Sequence, residues 1–245
     1  MAALPEHAPR IEPKNRTQSV AVDDSFKFHC HSGLSCFTEC CRELDLALSP
    51  YDVIRLKQAL ALTSHEFLER YAVVEFGVDD FYPKVYLAMV DDGRASCPFV
   101  DATTGCRVYH DRPGACRTYP VGRGASLDQK GRNQERFILI TEGHCLGFAE
   151  DQGQTVQQWQ NDQQISDYNR FNDLLLPLIS QGNGQNLQRL SSEDATLFID
   201  TLYNLELFKS RLPQNSTILA IPSADESTLL PYAIDWLQEQ WQSAR

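Results

Sequence analysis

The eight cysteines of this 245-residue chain are its clearest chemical feature, because thiolates are the ligands that zinc ions and iron–sulfur clusters share. All of them lie in less than half of the chain, and the last hundred residues contain none. A lone cysteine is by default a small buried hydrophobe, but such a concentration is not. We therefore predict that every cysteine is a candidate metal ligand: Cys30, Cys36, Cys40, Cys41, Cys97, Cys106, Cys116 and Cys145.

The first four cysteines fall within a dozen residues, in the run Cys30-His-Ser-Gly-Leu-Ser-Cys36-Phe-Thr-Glu-Cys40-Cys41. Gly33 permits a tight turn, so the segment suits a loop folded around a metal. The spacing matches neither the paired C-x2-C knuckles of a zinc ribbon nor the C-x2-C-x2-C run of a bacterial ferredoxin. The pattern predicts metal binding and leaves the cofactor open between zinc and an iron–sulfur cluster.

The later cysteines lie among arginines in a chain that is otherwise acidic. These arginines are Arg107, Arg112, Arg117 and Arg123. Four thiolates on a divalent metal leave a net charge of about −2, which nearby guanidinium groups would offset. We therefore assign Arg112 and Arg117 to cofactor binding by charge compensation. Binding of an anionic substrate and a plain surface loop are the alternatives.

Four of the six histidines also lie near cysteines: His29, His31, His110 and His144. An imidazole can replace a thiolate as a ligand, or it can hydrogen-bond to one. Proximity in sequence does not by itself distinguish these roles.

Composition and charge narrow the class of protein. With 42% hydrophobic and 22% charged residues the chain is an ordinary globular protein, and its net charge of −11 disfavours nucleic acid as a partner. No apolar run approaches the roughly 20 residues of a membrane-spanning helix, and the N-terminus lacks the apolar region of a signal peptide. We expect a cytoplasmic protein with no membrane partner, in which disulfides are rare.

The order of helix and strand signals predicts an α+β fold: a helix-rich single domain with short strands and a cysteine-lined metal site, plus C-terminal helices. We divide the chain into a flexible N-terminal arm (1–24), a cysteine-cluster metal-binding domain (25–150) and a C-terminal helical region packed on it (151–245). Helices are predicted to begin at Ser49, at Thr63 or Ser64, at Thr155 and at Ser191 or Ser192, and a final one over 230–241. Strands are predicted over 82–90 and 137–141.

Two of these predictions are specific enough to check in detail. Ser49 is followed by Pro50 and Asp52, which suit the first turn of a helix. The helix from Thr155 is predicted to run to about Ile179, with Pro177 ending or kinking it.

Taken together, the motifs resemble the cysteine-cluster family of zinc- or iron-chelating domains, called CxxCxxCC. The motifs are an F-x-C ahead of the run Cys36, Cys40, Cys41, then Leu48-Ser-Pro-Tyr-Asp-Val-Ile-Arg-Leu, Glu66-Phe-Leu-Glu-Arg-Tyr, Cys97-Pro-Phe, Gly105-Cys-Arg-Val-Tyr, Asp111-Arg-Pro-Gly-Ala-Cys-Arg-Thr-Tyr-Pro and Gly143-His-Cys. The likeness spans about residues 26–176. Three residues between Cys36 and Cys40 depart from the compact form, so which of the first four cysteines are ligands stays open.

The resemblance implies a metal-binding protein that holds zinc or an iron–sulfur cluster, with no reaction assigned. A related cysteine cluster in flagellin lysine methylases implies one alternative, a metal-dependent methyltransferase. Another alternative is a zinc-stabilised interaction module with a protein partner. The sequence contains no glycine-rich nucleotide loop and no H-E-x-x-H pattern. We favour one main centre that uses both cysteine groups, and two centres of four thiols are the alternative.

Overall fold

The computed structural model describes residues 16–179, 189–213, 216 and 226–243. Within these residues the chain folds into eight α-helices and several short antiparallel strands, which confirms the α+β prediction. The helices are α1 Pro50–Ala59, α2 Ser64–Tyr71, α3 Gly114–Thr118, α4 Val156–Asp162, α5 Ser166–Ile179, α6 Ser192–Leu202, α7 Leu205–Arg211 and α8 Glu226–Ser243. In this part of the chain, no helix has the length and apolar character that crossing a bilayer requires.

The strands form small sheets in which every pairing is antiparallel. Two sheets have three strands, in the orders β1-β9-β8 and β3-β5-β4, and two have two strands, β10-β2 and β6-β7. The strands are β1 Arg16–Val20, β2 Ser25–Lys27, β3 Ala47–Leu48, β4 Ala72–Glu75, β5 Lys84–Leu87, β6 Val100–Asp101, β7 Gly105–Cys106, β8 Val121–Leu127, β9 Asn133–Thr141 and β10 Gly153–Thr155. Both predicted strands are present, as β5 and β9.

The predicted helix starts at Ser49 and Thr63 are confirmed, each with a reciprocal capping box. The Ser49 hydroxyl accepts from the Asp52 amide at 3.2 Å, and the Asp52 carboxylate accepts from the Ser49 amide at 2.7 Å. These bonds satisfy backbone donors that the first turn of a helix leaves without partners. Asp52 also accepts from the Gly114 amide at 2.7 Å, so α1 is joined directly to α3.

The single helix predicted from Thr155 to Ile179 is wrong, because the chain forms α4 and α5 with a break between them. Gln164 has a positive φ of 51°, a left-handed conformation that a continuous right-handed helix excludes. Pro177 lies inside α5 and does not end it before Ile179. The helix predicted to begin at Ser191 or Ser192 is α6, and Asn204 caps a separate helix, α7, after it.

The main core draws on both of the predicted regions. Val53 and Leu56 of α1 belong to the same buried cluster as Phe171, Leu202 and Leu237 of the C-terminal helices. Burying each such side chain contributes roughly 1.5–3 kcal/mol. A second, smaller cluster contains Phe26, Phe28, Val121, Phe137 and Val156.

The predicted N-terminal arm needs a correction. Arg16–Val20 forms β1 and pairs along β9, from Arg16 opposite Thr141 to Val20 opposite Phe137. The backbone hydrogen bonds of that ladder, which local sequence does not reveal, fix these five residues. Residues 1–15 lie outside the described residues.

Candidate metal centre

The cysteines from Cys97 to Cys116 lie against the main core. Cys97, Cys106 and Cys116 all pack on its buried side chains. Cys106 ends β7, where it pairs with Val100 of β6, and Cys116 lies in α3. The Cys97 amide donates to the Cys41 carbonyl at 2.8 Å, which brings the end of the first cysteine run to this group.

The cysteines at the two ends of the cluster lie against the second core instead. Cys145 follows β9 and packs on that core. The Leu146 amide donates to the Cys36 sulfur at 3.3 Å, and the His29 amide donates to the Gly147 carbonyl at 3.0 Å. These contacts hold Cys30, Cys36 and Cys145 in one region.

The adjacent pair Cys40 and Cys41, in a short 3-10 helix over Glu39–Cys41, lies between the two groups. The Cys41 thiol donates a hydrogen bond to Cys40, which raises the pKa of Cys41 and lowers that of Cys40. Cys97 and Cys116 raise the pKa of Cys41 further. On the other side, partial burial raises the pKa of Cys30 to about 11, with added contributions from Cys40, Cys145 and Cys36.

For description we divide the eight thiols into two groups by their neighbours. We name Cys41, Cys97, Cys106 and Cys116 the inner set, and Cys30, Cys36, Cys40 and Cys145 the outer set. Cys40 also raises the pKa of Cys106 and Cys116, so the two sets are neighbours.

Burial is the main reason that most of these thiols hold their protons. It raises the pKa of Cys116 to about 12, and it raises those of Cys97, Cys106 and Cys145 as well. A metal binds thiolates, so binding must displace these protons. Metal affinity is therefore expected to rise with pH.

The sulfur atoms are spread more widely than a single zinc ion requires. Among the described residues, no three cysteine sulfurs lie within 4.8 Å of one another. Zinc–sulfur bonds of about 2.3 Å in a tetrahedron place the sulfurs about 3.8 Å apart. The thiols are thus more widely spaced than the four ligands of a closed tetrahedral zinc site.

Arg112 is a buried cation beside the inner set, with 9% of its surface exposed. Its guanidinium donates to the Tyr109 carbonyl and the Gln163 side-chain oxygen, and it stacks 3.8 Å from the centre of the Tyr109 ring. Burial lowers its pKa, whereas Cys106 and Cys116 act in the opposite direction. In the described part of the chain, no carboxylate forms an ion pair with it.

The other arginines of this segment have different surroundings. Arg117 donates to the carbonyls of Gln163 and His110, and its charge opposes the burial that raises the pKa of Asp52. Arg107 donates to the Pro98 carbonyl at 2.6 Å. Arg123 is held by Glu135 and Asp173. Gln163, which follows the end of α4, therefore supplies acceptors to two buried guanidinium groups.

Tyr119 is a neighbour of the thiols that sequence reasoning missed. Its hydroxyl lies beside the Cys145 thiol. Burial is the main cause that raises the pKa of Tyr119, and the Cys145 thiol raises it further. The hydroxyl makes no hydrogen bond of normal geometry within the described residues. Its position in the motif Cys116-Arg-Thr-Tyr-Pro was the one sequence feature that could have indicated a place near the thiols.

The eight thiols, gathered from distant parts of the chain, define a candidate metal-binding site. A sequence model of the CxxCxxCC family, described as a "putative zinc- or iron-chelating domain", matches residues 29–153, which are 125 of the 245 residues. The chain belongs to this family, and the matched segment contains all eight cysteines. Comparison with curated proteins and with solved structures gave no match.

Proposed function

We propose that this protein is a cytoplasmic iron–sulfur protein that holds one cluster in the inner set and another in the outer set. The observation that carries the proposal is the placement of the thiols. Three of them lie on the main core, three lie in the region of the second core, and Cys40 and Cys41 lie between the two groups. Four thiolates per set is the ligand number of the common clusters. This proposal takes the two-centre alternative in place of the single main centre favoured from sequence, and the number of centres stays a prediction.

The wide sulfur spacing supports clusters over single zinc ions. In a cluster the thiolates bind different iron atoms, so the core of iron and sulfide separates them further than one zinc ion would. Among the described residues, every trio of cysteine sulfurs contains at least one pair more than 4.8 Å apart. A zinc ion would therefore require at least three sulfurs of a set to move closer together. The thiol-only donor set is compatible with both metals. The wide spacing of the sulfur atoms favours the larger cofactor.

The charge of Arg112 supports an anionic cofactor at the inner set. A buried cation without a counter-charge is costly, and neutral thiols supply none. Metal-bound thiolates of Cys106 and Cys116 would supply that charge at the position where the guanidinium already lies. In this proposal Arg112 compensates the negative charge of a bound cluster.

An iron–sulfur cluster supplies one-electron transfer, or it stabilises the fold that its ligands join. The inner thiols connect a strand hairpin, a short helix and the first cysteine run. We infer that loss of the inner cluster loosens the packing around α3. The outer set includes exposed Cys30 and Cys40, so it is the set through which electrons or metal reach solvent.

The test is the iron and acid-labile sulfide content of single-cysteine variants purified without oxygen. Cys116→Ser should lose the inner cluster and Cys145→Ser the outer one, so each variant should keep about half of the wild-type iron. Ser35→Ala changes an exposed residue of the first cysteine run and should keep all of the iron. Complete loss of iron from either cysteine variant that remains folded would indicate one shared centre. Zinc without sulfide in every sample would refute the cofactor.

A further inference from the structure

A second kind of donor group lies at the edge of the outer set. His29 and His31 flank Cys30, and Glu150 follows the short 3-10 helix Leu146–Ala149. One ligand atom from each of the three side chains lies within 4.8 Å of the other two. In the described part of the chain, no other trio of histidine, cysteine, aspartate and glutamate ligand atoms meets that distance.

Backbone hydrogen bonds hold the two segments of this group together. The His29 amide donates to the Gly147 carbonyl at 3.0 Å, and the Phe28 amide donates to the Gln152 carbonyl at 3.1 Å. The two imidazole rings lie 5.1 Å apart, and His31 Nε2 lies 3.7 Å from a Glu150 carboxylate oxygen. Residues distant in sequence thus converge at the edge of the outer set.

We propose that His29, His31 and Glu150 form a separate divalent-metal site with two nitrogen ligands and one oxygen ligand. Two imidazoles and a carboxylate suit first-row ions such as Fe²⁺, Zn²⁺ and Mn²⁺. All three side chains are at least partly exposed, so water completes the coordination. The site does not depend on which cofactor the thiols hold.

The geometry indicates an exchangeable ion rather than a permanent one. Metal bonds of about 2.0–2.2 Å require the three ligand atoms to approach to somewhat over 3 Å, which partly exposed side chains can do. The Gly33 amide donates to His31 Nδ1 at 3.1 Å. Metal binding at Nε2 moves the ring proton to Nδ1 and gives up that hydrogen bond. This cost makes the site weaker than a four-thiolate site.

Mn²⁺ is the appropriate probe because it prefers oxygen and nitrogen donors to thiolates. Loss of the free-ion electron paramagnetic resonance signal measures its binding to the purified full-length protein. We expect one Mn²⁺ per chain, displaced by Zn²⁺ as the Irving–Williams order requires. His31→Ala and Glu150→Gln should each weaken Mn²⁺ binding by about tenfold or more. Loss of a residue that only supports a metal ligand already weakens metal affinity by about tenfold, and these variants remove a ligand itself.

The matched control is the pair His65 and Glu69 on α2. Its nitrogen–oxygen distance is 3.4 Å, but it has no second histidine. His65→Ala and Glu69→Gln should bind Mn²⁺ as the wild type does. No stoichiometric binding by the wild type, or equal binding by His31→Ala and Glu150→Gln, would overturn the site. Iron measured in the same samples reports on the thiol sets separately, so failure of one proposal is distinguishable from failure of the other.

Discussion

Lys57 offers the sharpest test of how the family domain and the C-terminal helices depend on each other. Its side chain is 3% exposed, and its ammonium group lies 2.6 Å from a Glu206 oxygen of α7 while also bonding Glu226 of α8. The Glu226 side chain is 7% exposed and that of Glu206 is 37% exposed. The substitution Lys57→Ala therefore leaves a buried carboxylate without its cation.

The expected cost is roughly 3–5 kcal/mol at pH 7, the usual range when one partner of a buried ion pair is removed. Burial already raises the pKa of Glu226, and the charge of Lys57 counteracts it. Without Lys57 the folded-state pKa rises further above the ordinary value of about 4.3. The folded variant then binds a proton more readily than the unfolded one, so its stability falls as pH rises through that raised pKa.

Urea unfolding followed by tryptophan fluorescence at pH 7 and pH 5 measures both effects in protein of one metal state. The destabilisation should be larger at pH 7 than at pH 5. Exposed Lys130→Ala should change stability by less than about 0.5 kcal/mol at either pH. A cost below about 1 kcal/mol for Lys57→Ala, equal at both pH values, would refute the reasoning.

Three further outcomes follow from the site. Asp52→Ala removes the acceptor of the Gly114 amide and the cap of α1, so urea unfolding should show a loss of roughly 2–4 kcal/mol; a loss under about 1 kcal/mol contradicts this. Arg112→Gln removes a buried positive charge, so a redox titration should show a more negative potential by on the order of tens of millivolts, and an unchanged potential argues against compensation. Gly105→Ala, at φ +86°, places a Cβ 2.9 Å from an aromatic ring and should lower the iron content. Gly131→Ala, at φ +74° in open space, should leave the iron content unchanged. Equal iron in both variants would contradict a role for the close contact at Gly105.

Local signals in the sequence predicted the elements that local physics decides. Neighbouring residues predict the helix caps at Ser49 and Thr63 and the strand β9. A helix start or a strand depends mainly on the few side chains within it. The family, and with it metal binding, was also readable from the motifs. These features needed no knowledge of which distant segments meet.

The features that the sequence did not predict depend on contacts between segments distant in the chain. The break at Gln164 relies on a left-handed residue whose neighbour Gln163 supports Arg112 and Arg117, about fifty residues earlier in the chain. The proposed division of Cys40 and Cys41 between two sets depends on the existence of two separate cores. Glu150 gave no sign that it would lie near His31, because only folding brings them together.

The most direct test of the two-cluster account is the count of iron, zinc and acid-labile sulfide per chain in protein purified without oxygen. Two four-iron clusters predict about eight iron atoms and about eight sulfides per chain, with the broad absorbance near 400 nm of thiolate-bound clusters. Half of those amounts, lost entirely in both Cys116→Ser and Cys145→Ser, would contradict two centres and indicate a single one. About two zinc ions without sulfide, in a colourless protein, would contradict the iron–sulfur assignment itself.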